Sequence, residues 1–303
     1  MIIINLLQNI LQEGFIYGIM AMGVYISYKV MDFPDLSVDG TFPLGMCLTA
    51  ALINAGVNPL LASFLAFLAG LIAGSVTGLI HVKLKITDLL SGILVMTAMW
   101  SVNLVITRGS AVLPFYNKPT FFKGKFIDLL PSFLNNYSSL VITFLFMMLV
   151  KILIDLYLKT KSGLLLRAAG DNSQFVTSLS KDPGLAKIRG LAIGNGCTAL
   201  AGSILAQYNE SANVSAGTGM VVMALASVII GESIFRKVTF LKGTTTALFG
   251  AIIYRLCLLL AMQLGLPTNY LKLLMALIFV IALVSNNYFS RGRKKQYVQP
   301  ERL

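Results

Sequence analysis

The chain has 303 residues, of which 56% are hydrophobic and only 12% charged, and its mean hydropathy is +0.80. A soluble domain carries about 25% charged residues, so this composition cannot coat a globule of such size. Its hydrophobicity excludes disorder, and a secreted disulfide scaffold is excluded because Cys47, Cys197 and Cys257 all sit in apolar runs. The net charge of +12 comes without a basic patch interleaved with aromatics, which argues against nucleic acid and for basic loops that orient a membrane protein. The fold class expected is all-α and polytopic.

In chain order, residues 1–12 carry no Lys or Arg, so they lack the positive start of a cleavable signal peptide and are expected to be retained. A helix needs about 20 mainly apolar residues to cross the hydrocarbon core. Reading for such stretches gives 11–30, 42–57, 59–80, 86–107, 138–158, 191–208, 218–230, 246–264 and 268–285, about nine transmembrane segments. Two of them, 42–57 and 218–230, are too short to cross comfortably, and each follows a polar stretch, 32–41 and 209–217.

The first four segments and the last four share one rhythm: a full helix, a polar break, a short helix, then two full helices. Gly14 and Gly18 open the first set, and Gly190 and Gly194 open the second with the same GxxxG spacing. The single segment between the sets makes an odd number of crossings from one start to the next, which turns the second set upside down. That is an inverted repeat. The expected organisation is repeat one over 11–107, an outer loop over 108–137, a connecting helix over 138–158, a cytoplasmic coupling loop over 159–189, repeat two over 190–285 and a basic tail over 286–303. With this topology seventeen Lys/Arg fall on one side and five on the other, which predicts an outside N-terminus and a cytoplasmic C-terminus in the cell membrane. The outer loop holds Pro114, Pro119 and Pro131 with Phe115, Tyr116, Phe121, Phe122 and Phe126, and reads as a partly interfacial cap able to dock an external partner.

No catalytic constellation is visible. The one histidine, His81, stands at a helix end, no His/Cys/carboxylate spacing suits a metal, and there is no GxxxxGK[ST] phosphate loop. The chain is therefore expected to bind no cofactor and not to be an enzyme, and any energy from nucleotide must arrive through a partner.

Three features carry polar chemistry. Asp32, Asp35, Ser37, Asp39 and Thr41 lie between two membrane segments, where irregular backbone survives only if protein or a watery cavity satisfies it. One reading is a broken helix lining a pathway or gate; the other is a solvated turn in which Asp35 or Ser37 caps the next helix. The counterpart Asn209, Glu210, Asn213 and Ser215 is open to the same pathway reading or to that of an external loop. Arg255 lies near the middle of a segment, where a charge costs a few kcal/mol or more; it should face the bundle interior and pair with a carboxylate of the protein or of a substrate. Lys151 and Asp155, four apart, are assigned to each other. Asn103 and Trp100 either line a path or serve as a helix–helix hydrogen bond and core packing.

The loop 159–189 is long for a link between packed helices. Leu164, Leu165, Leu166, Phe175, Val176 and Leu179 make it amphipathic, which suits docking into a groove on another protein; a helix on the membrane surface is the competing reading.

The run Thr160-x-x-Gly163-x-x-x-Arg167-Ala168-x-Gly170-x-Asn172, then Leu200-Ala201-Gly202, Ala216-Gly217-Thr218-Gly219 and Ala224-x-Ala226-x-Val228-x-x-Gly231 is similar to ABC-importer permeases of the branched-chain amino acid and ribose type. Tyr28-x-x-x-Asp32-Phe33-Pro34-Asp35-Leu36-Ser37-Val38-Asp39-Gly40 resembles a narrower subgroup whose suspected cargo is aromatic amino acids such as tryptophan or tyrosine. Sugar-type members are glycine- and serine-rich after the position of Gly231, whereas here Glu232-Ser233-Ile234-Phe235-Arg236-Lys237 follows, which argues against a ribose-like sugar. The resemblance implies two inverted four-helix repeats around a connecting helix and a dimer around a central pathway. It also implies a substrate-binding lipoprotein outside and a separate cytoplasmic ATPase that uses the ATP. Carried onto this chain, the ATPase contact falls on Gly163, Leu164, Leu165, Arg167, Gly170, Asn172 and Phe175. The rival from another class is an ion- or proton-coupled secondary transporter, which uses the same inverted repeat without an ATPase.

Overall fold

The computed structural model describes residues 2–123, 137–178, 180–236, 238, 240–265, 267 and 270–294. Each of the nine apolar segments is a helix, with shifted ends. Helix α1 (Ile2–Tyr25) passes into a π-helical turn, Ile26–Val30, before α2 (Val38–Asn54), α3 (Pro59–Lys83) and α4 (Asp88–Ile106). Helix α5 (Ser138–Tyr157) is followed by two short helices, α6 (Lys161–Asp171) and α7 (Ser173–Ser178), and then by α8 (Pro183–Asn209), α9 (Met220–Phe235), α10 (Gly243–Gln263) and α11 (Leu271–Lys294). Among the described residues the strands are confined to β1 (Val112–Pro114) and β2 (Ser211–Asn213), an antiparallel pair in which Leu113 faces Ala212.

Local chemistry explains the boundaries. Asn58 caps α3, accepting from Leu60 N at 2.9 Å, and Pro59 occupies the first helical position, where its missing N–H costs nothing. The same device opens α8 eight residues earlier than the apolar run suggests: Asp182 accepts from Gly184 N at 2.7 Å and Pro183 follows it. Much of the end of the 159–189 link is thus the start of α8.

Among the described residues, seven helical stretches are long and apolar enough to cross a membrane: Leu6–Val30, Pro59–Lys83, Asp88–Ile106, Ser138–Tyr157, Pro183–Asn209, Val214–Phe235 and Gly243–Gln263. Helix α2 and the apolar part of α11, Leu271–Val284, are shorter. Length and composition therefore mark seven spans where the sequence reading has nine. Burial sorts the seven into a centre and a rim. The windows in α1 and α8 are 83% and 78% buried, against 22% in α4 and 28% in α5, so α1 and α8 form the core and the other two turn most of their surface to lipid.

The two sets of helices interleave. Helix α8 packs most heavily on α3 and α2 of the first set, and α1 packs correspondingly on α10 and α9 of the second, while α1 and α8 also lie against each other. Small residues on α8 (Gly190, Gly194, Ala199, Ala201 and Gly202) are buried in these contacts and let the backbones approach. The halves are joined by polar groups as well. Thr49 Oγ1 of α2 donates to Ser203 Oγ of α8 at 2.7 Å, and Ser203 Oγ in turn lies 2.7 Å from Ser63 Oγ of α3. Gln207 Nε2 donates to Ser63 Oγ at 2.8 Å, and its Oε1 accepts from Phe121 N at 3.1 Å.

Ser203→Ala removes the hub of that chain and leaves Thr49 and Ser63 short of a partner. Interhelical hydrogen bonds of this kind are worth about 0.6 to 2 kcal/mol, so the variant should fold and melt earlier in detergent than the parent. An unchanged melting temperature means that the hydroxyl ladder contributes nothing.

Candidate functional site

The first polar stretch is built by an interruption of the helix, not by a solvated turn. After the π-helical turn, Phe33 N reaches back to Ser27 O at 2.9 Å and Asp32 takes a left-handed φ of 53°, so the chain reverses direction. Asp35, Ser37 and Thr41 are then buried, whereas Asp32 stays exposed. Asp35 Oδ1 accepts from Ser37 N at 2.9 Å and from Ser37 Oγ at 2.6 Å. Its other oxygen, Oδ2, accepts from Asn195 Nδ2 of α8 at 2.6 Å. Asn195 Oδ1 accepts from Thr41 Oγ1 at 2.7 Å and lies 3.1 Å from Ser37 Oγ. Burial in this link pushes the Asp35 carboxyl above the usual carboxylate range, while the hydrogen bonds from Ser37 and Asn195 pull the other way.

The second polar stretch runs back along α2. Strand β2 pairs with β1, and Asn54, at the far end of α2, donates to Pro114 O at 3.2 Å. A short 3₁₀ turn, Val214–Gly217, follows, and there Gly217 rests on the Asp39 carbonyl with no room for a Cβ. Asp39 completes the junction: its carboxylate accepts from Gly219 N at 3.0 Å and from Val221 N at 2.7 Å. The first turns of α2 and α9 thus meet at one carboxylate, which satisfies the orphan amides of α9 from another element. Pro43 inside α2 leaves the Asp39 carbonyl without its helical donor, at the same point.

The other residues of the second stretch stay near the surface. Asn209 is exposed, and Asn213 accepts from Ser215 N at 2.8 Å in an exposed turn. Glu210 adopts a φ of 51° at the end of α8 and pairs with Lys123.

Arg255 has a protein partner, Glu13 of α1, and its guanidinium stands 5.5 Å from the centre of the Tyr17 ring; both charged side chains are less than one-fifth exposed. Asp155 pairs with Lys151 at 3.2 Å, as the spacing predicts, and also takes Lys242 at 2.9 Å and Thr244 Oγ1 at 2.6 Å, which ties α5 to the start of α10. Asn103 is buried and donates to Gly40 O at 3.2 Å, whereas Trp100 is 46% exposed on the rim.

Helix α6 is capped by Thr160, which accepts from Gly163 N at 3.2 Å. Gly163, Leu166, Ala169 and Val176 are buried against the chain, Leu165 and Gly170 are partly so, and Leu164, Arg167, Asn172 and Phe175 are exposed. Gly170 lies on the Val30 carbonyl beside Met31, too close for any side chain. The two glycines therefore seat the helix and do not face outward; Leu179 lies outside the described residues. In the loop after α4, Phe115 and Phe121 are plugged into the bundle and not held at its surface; Phe126 and Pro131 lie outside the described residues.

Sequence reasoning missed Asn195, Ser203, Gln207 and Glu13. Asn195, Ser203 and Gln207 are spaced eight and four apart, so they form one polar stripe on an otherwise small and apolar helix. Glu13 is an acid within the first segment and carries the usual signal of a charge that needs a partner.

These features define a polytopic helical membrane permease. A family model described as the branched-chain amino acid transport system / permease component matches residues 6–283, and the chain belongs to that family. It is 40% identical over 279 residues to the "Tyrosine transport system permease protein" of Clostridioides difficile, covering 92% of this chain and 90% of that one. It is 31% identical over 285 residues to an uncharacterized protein, RP368, of Rickettsia prowazekii, covering 93% and 98%. The "Ribose import permease protein RbsC" of Escherichia coli is more distant, at 27% identity over 290 residues covering 94% and 86%. No solved structure matches the chain.

Two outcomes follow from the geometry. Asn195→Ala leaves Asp35 Oδ2 unpartnered and Thr41 Oγ1 with only its 3.4 Å bond to Val38 O, and should cost about 1–3 kcal/mol, read as a lower melting temperature; Asn195→Leu should be no milder. Glu13→Ala strands the Arg255 charge and should cost about 3 kcal/mol, whereas the double variant Glu13→Gln/Arg255→Met should recover part of the loss. If the single and double variants melt alike, the pair is not coupled.

Proposed function

We propose that this chain is the membrane-spanning permease subunit of an ATP-binding cassette importer that passes a small amino-acid-like solute, of the aromatic class, to the cytoplasm. Family membership and the tyrosine-transport relative support this reading of the cargo. In it the chain binds no cofactor, a separate ATPase uses the ATP, and an external binding protein delivers the solute to a homodimer. The two sets of helices are upside-down copies, with the N-terminus outside and the C-terminus in the cytoplasm. The grouping of Lys29, Lys159, Arg167 and Lys242 around one cavity agrees with the basic side assigned to the cytoplasm.

The observation that carries the coupling mechanism is the seating of α6 and α7. These helices present Leu164 and Phe175, each more than half exposed, on a charged surface that does not bury them. Their inner face rests on residues 30–31, immediately before the chain reverses into the Asp35–Asn195 network. A partner gripping Leu164 and Phe175 therefore pushes on the first interrupted helix. Asp39 passes the displacement to α9, and the polar residues of the two interruptions alternate access. States convert only through such differential contacts.

Reconstituted vesicles test both halves of the proposal. Tyrosine uptake should require ATP and the ATPase; uptake by the purified chain driven by a proton or sodium gradient overturns the importer reading and supports a secondary transporter. Leu164→Asp and Phe175→Asp should reduce ATPase assembly and uptake at least tenfold while leaving the melting temperature unchanged. If both variants assemble and transport normally, the docking face lies elsewhere.

A further inference from the structure

Where α1 and α5 end and α10 begins, the bundle holds a cavity of about 590 Å³, set behind the Leu164 and Phe175 face and sharing Arg167 with the residues that the family resemblance assigns to ATPase contact. Four cations line it, each from a different piece of chain: Lys29 from the π-helical turn, Lys159 from the link after α5, Arg167 from α6 and Lys242 from the start of α10. Two of the four are already paired, Lys29 with Glu232 at 2.9 Å and Lys242 with Asp155 at 2.9 Å. Lys159 and Arg167 form no ion pair among the described residues, and both are exposed. Two acids, Asp155 and Asp171, share the lining with the four cations, so it keeps a positive surplus of two.

The position of the cavity specifies the ligand. Three membrane spans, Leu6–Val30, Ser138–Tyr157 and Gly243–Gln263, have their ends at this cavity, so it lies at the level where hydrocarbon gives way to headgroups. Its wall is mixed. Val30 and Leu158 are apolar and buried, and Phe240 stands 94% exposed beside the cations with Leu241 next to it. An aromatic left bare at the end of a span suits the interface between lipid and water. Paired cations at that depth suit a phosphate whose tails lie alongside.

We propose that this cavity binds the phosphate headgroup of an anionic membrane lipid, with Lys159 and Arg167 as its direct ligands. Lys242 and Lys29 hold the surrounding field, and Phe240 packs against the glycerol end of the acyl chains. The shared chemistry is an anionic phosphate group, which free phosphate esters in solution also carry. Placing the lipid here joins α6 to α5 and to Lys242, the last two of which Asp155 already ties to each other.

The test uses the full chain in nanodiscs of phosphatidylcholine alone or with phosphatidylglycerol, read as thermal melting and as lipid retained in native mass spectrometry. Phosphatidylglycerol should raise the melting temperature by a few degrees and should remain bound. Lys159→Gln/Arg167→Gln should lose most of both effects, and Lys159→Gln alone should lose part, which keeps the test readable if the double variant folds poorly. Lys181→Gln, which removes the same charge outside the cavity, should lose neither. Equal stability in the two lipids, retention of the effect in the double variant, or an equal loss in Lys181→Gln overturns the proposal. If glycerol 3-phosphate stabilises the detergent-solubilised chain as well as the lipid does, the source is a free phosphate and the lipid assignment falls.

Discussion

Breaking a helix inside an apolar bundle releases amide and carbonyl groups that hydrocarbon cannot satisfy, and every part of this structure answers to that demand. At the first break the answer is Asp35, whose Oδ1 takes the free Ser37 amide, and Asn195 satisfies that side chain in turn, donating to Asp35 and accepting from Thr41. At the second it is Asp39, whose carboxylate takes two free amides of α9. In each case a side chain from the other set of helices completes the network. The interruptions can therefore exist only in the assembled bundle, and each holds the other's helix in place.

This reciprocity separates a fixed frame from the parts able to move. The frame is the interleaved packing of α1 and α8 on the second and third helices of the opposite set, stitched by Thr49, Ser203, Ser63 and Gln207. The parts that the proposed mechanism moves are the turn after Val30, the segment from Ser211 to Gly217 and the seated helices α6 and α7. Beside their backbone bonds they are held by side-chain bonds, such as Ser37 N to Asp35, Gly163 N to Thr160 and Ser215 N to Asn213. A transporter needs that division, since a pathway that alternates must rearrange without losing the bundle around it.

Much of this was legible from the residues alone. Nine apolar runs became nine helices, because lipid-length hydrophobicity is a one-dimensional signal, and the polar stretches 32–41 and 209–217 marked the interruptions because acids and glycines cannot continue a helix facing lipid. Two things were hidden. One was distance along the chain: nothing near Asp35 announces Asn195, which lies 160 positions away, and nothing near Arg255 announces Glu13. The other was depth. Phe115 and Phe121 look like surface aromatics in a proline-rich loop, yet the bundle has openings that take them in. Helix α8 also begins at Pro183, because its cap is polar and the hydropathy that locates spans ignores capping. The polar stripe of Asn195, Ser203 and Gln207 was the available clue, diluted by the glycines and alanines around it.

The interleaved arrangement has a consequence for biogenesis. When α1, α2 and α3 leave the ribosome and enter the bilayer, Asp35 has only Ser37, and Thr49 and Ser63 lack their interhelical partners, because the helix that supplies the rest begins at Pro183. More than a hundred further residues must be made before Asn195, Ser203 and Gln207 of α8 close the gap. Until then the nascent first half sits in lipid with its polar face uncovered, a client for whatever insertase shelters half-finished helices. Translation speed between Lys83 and Pro183 thus sets how long that exposure lasts.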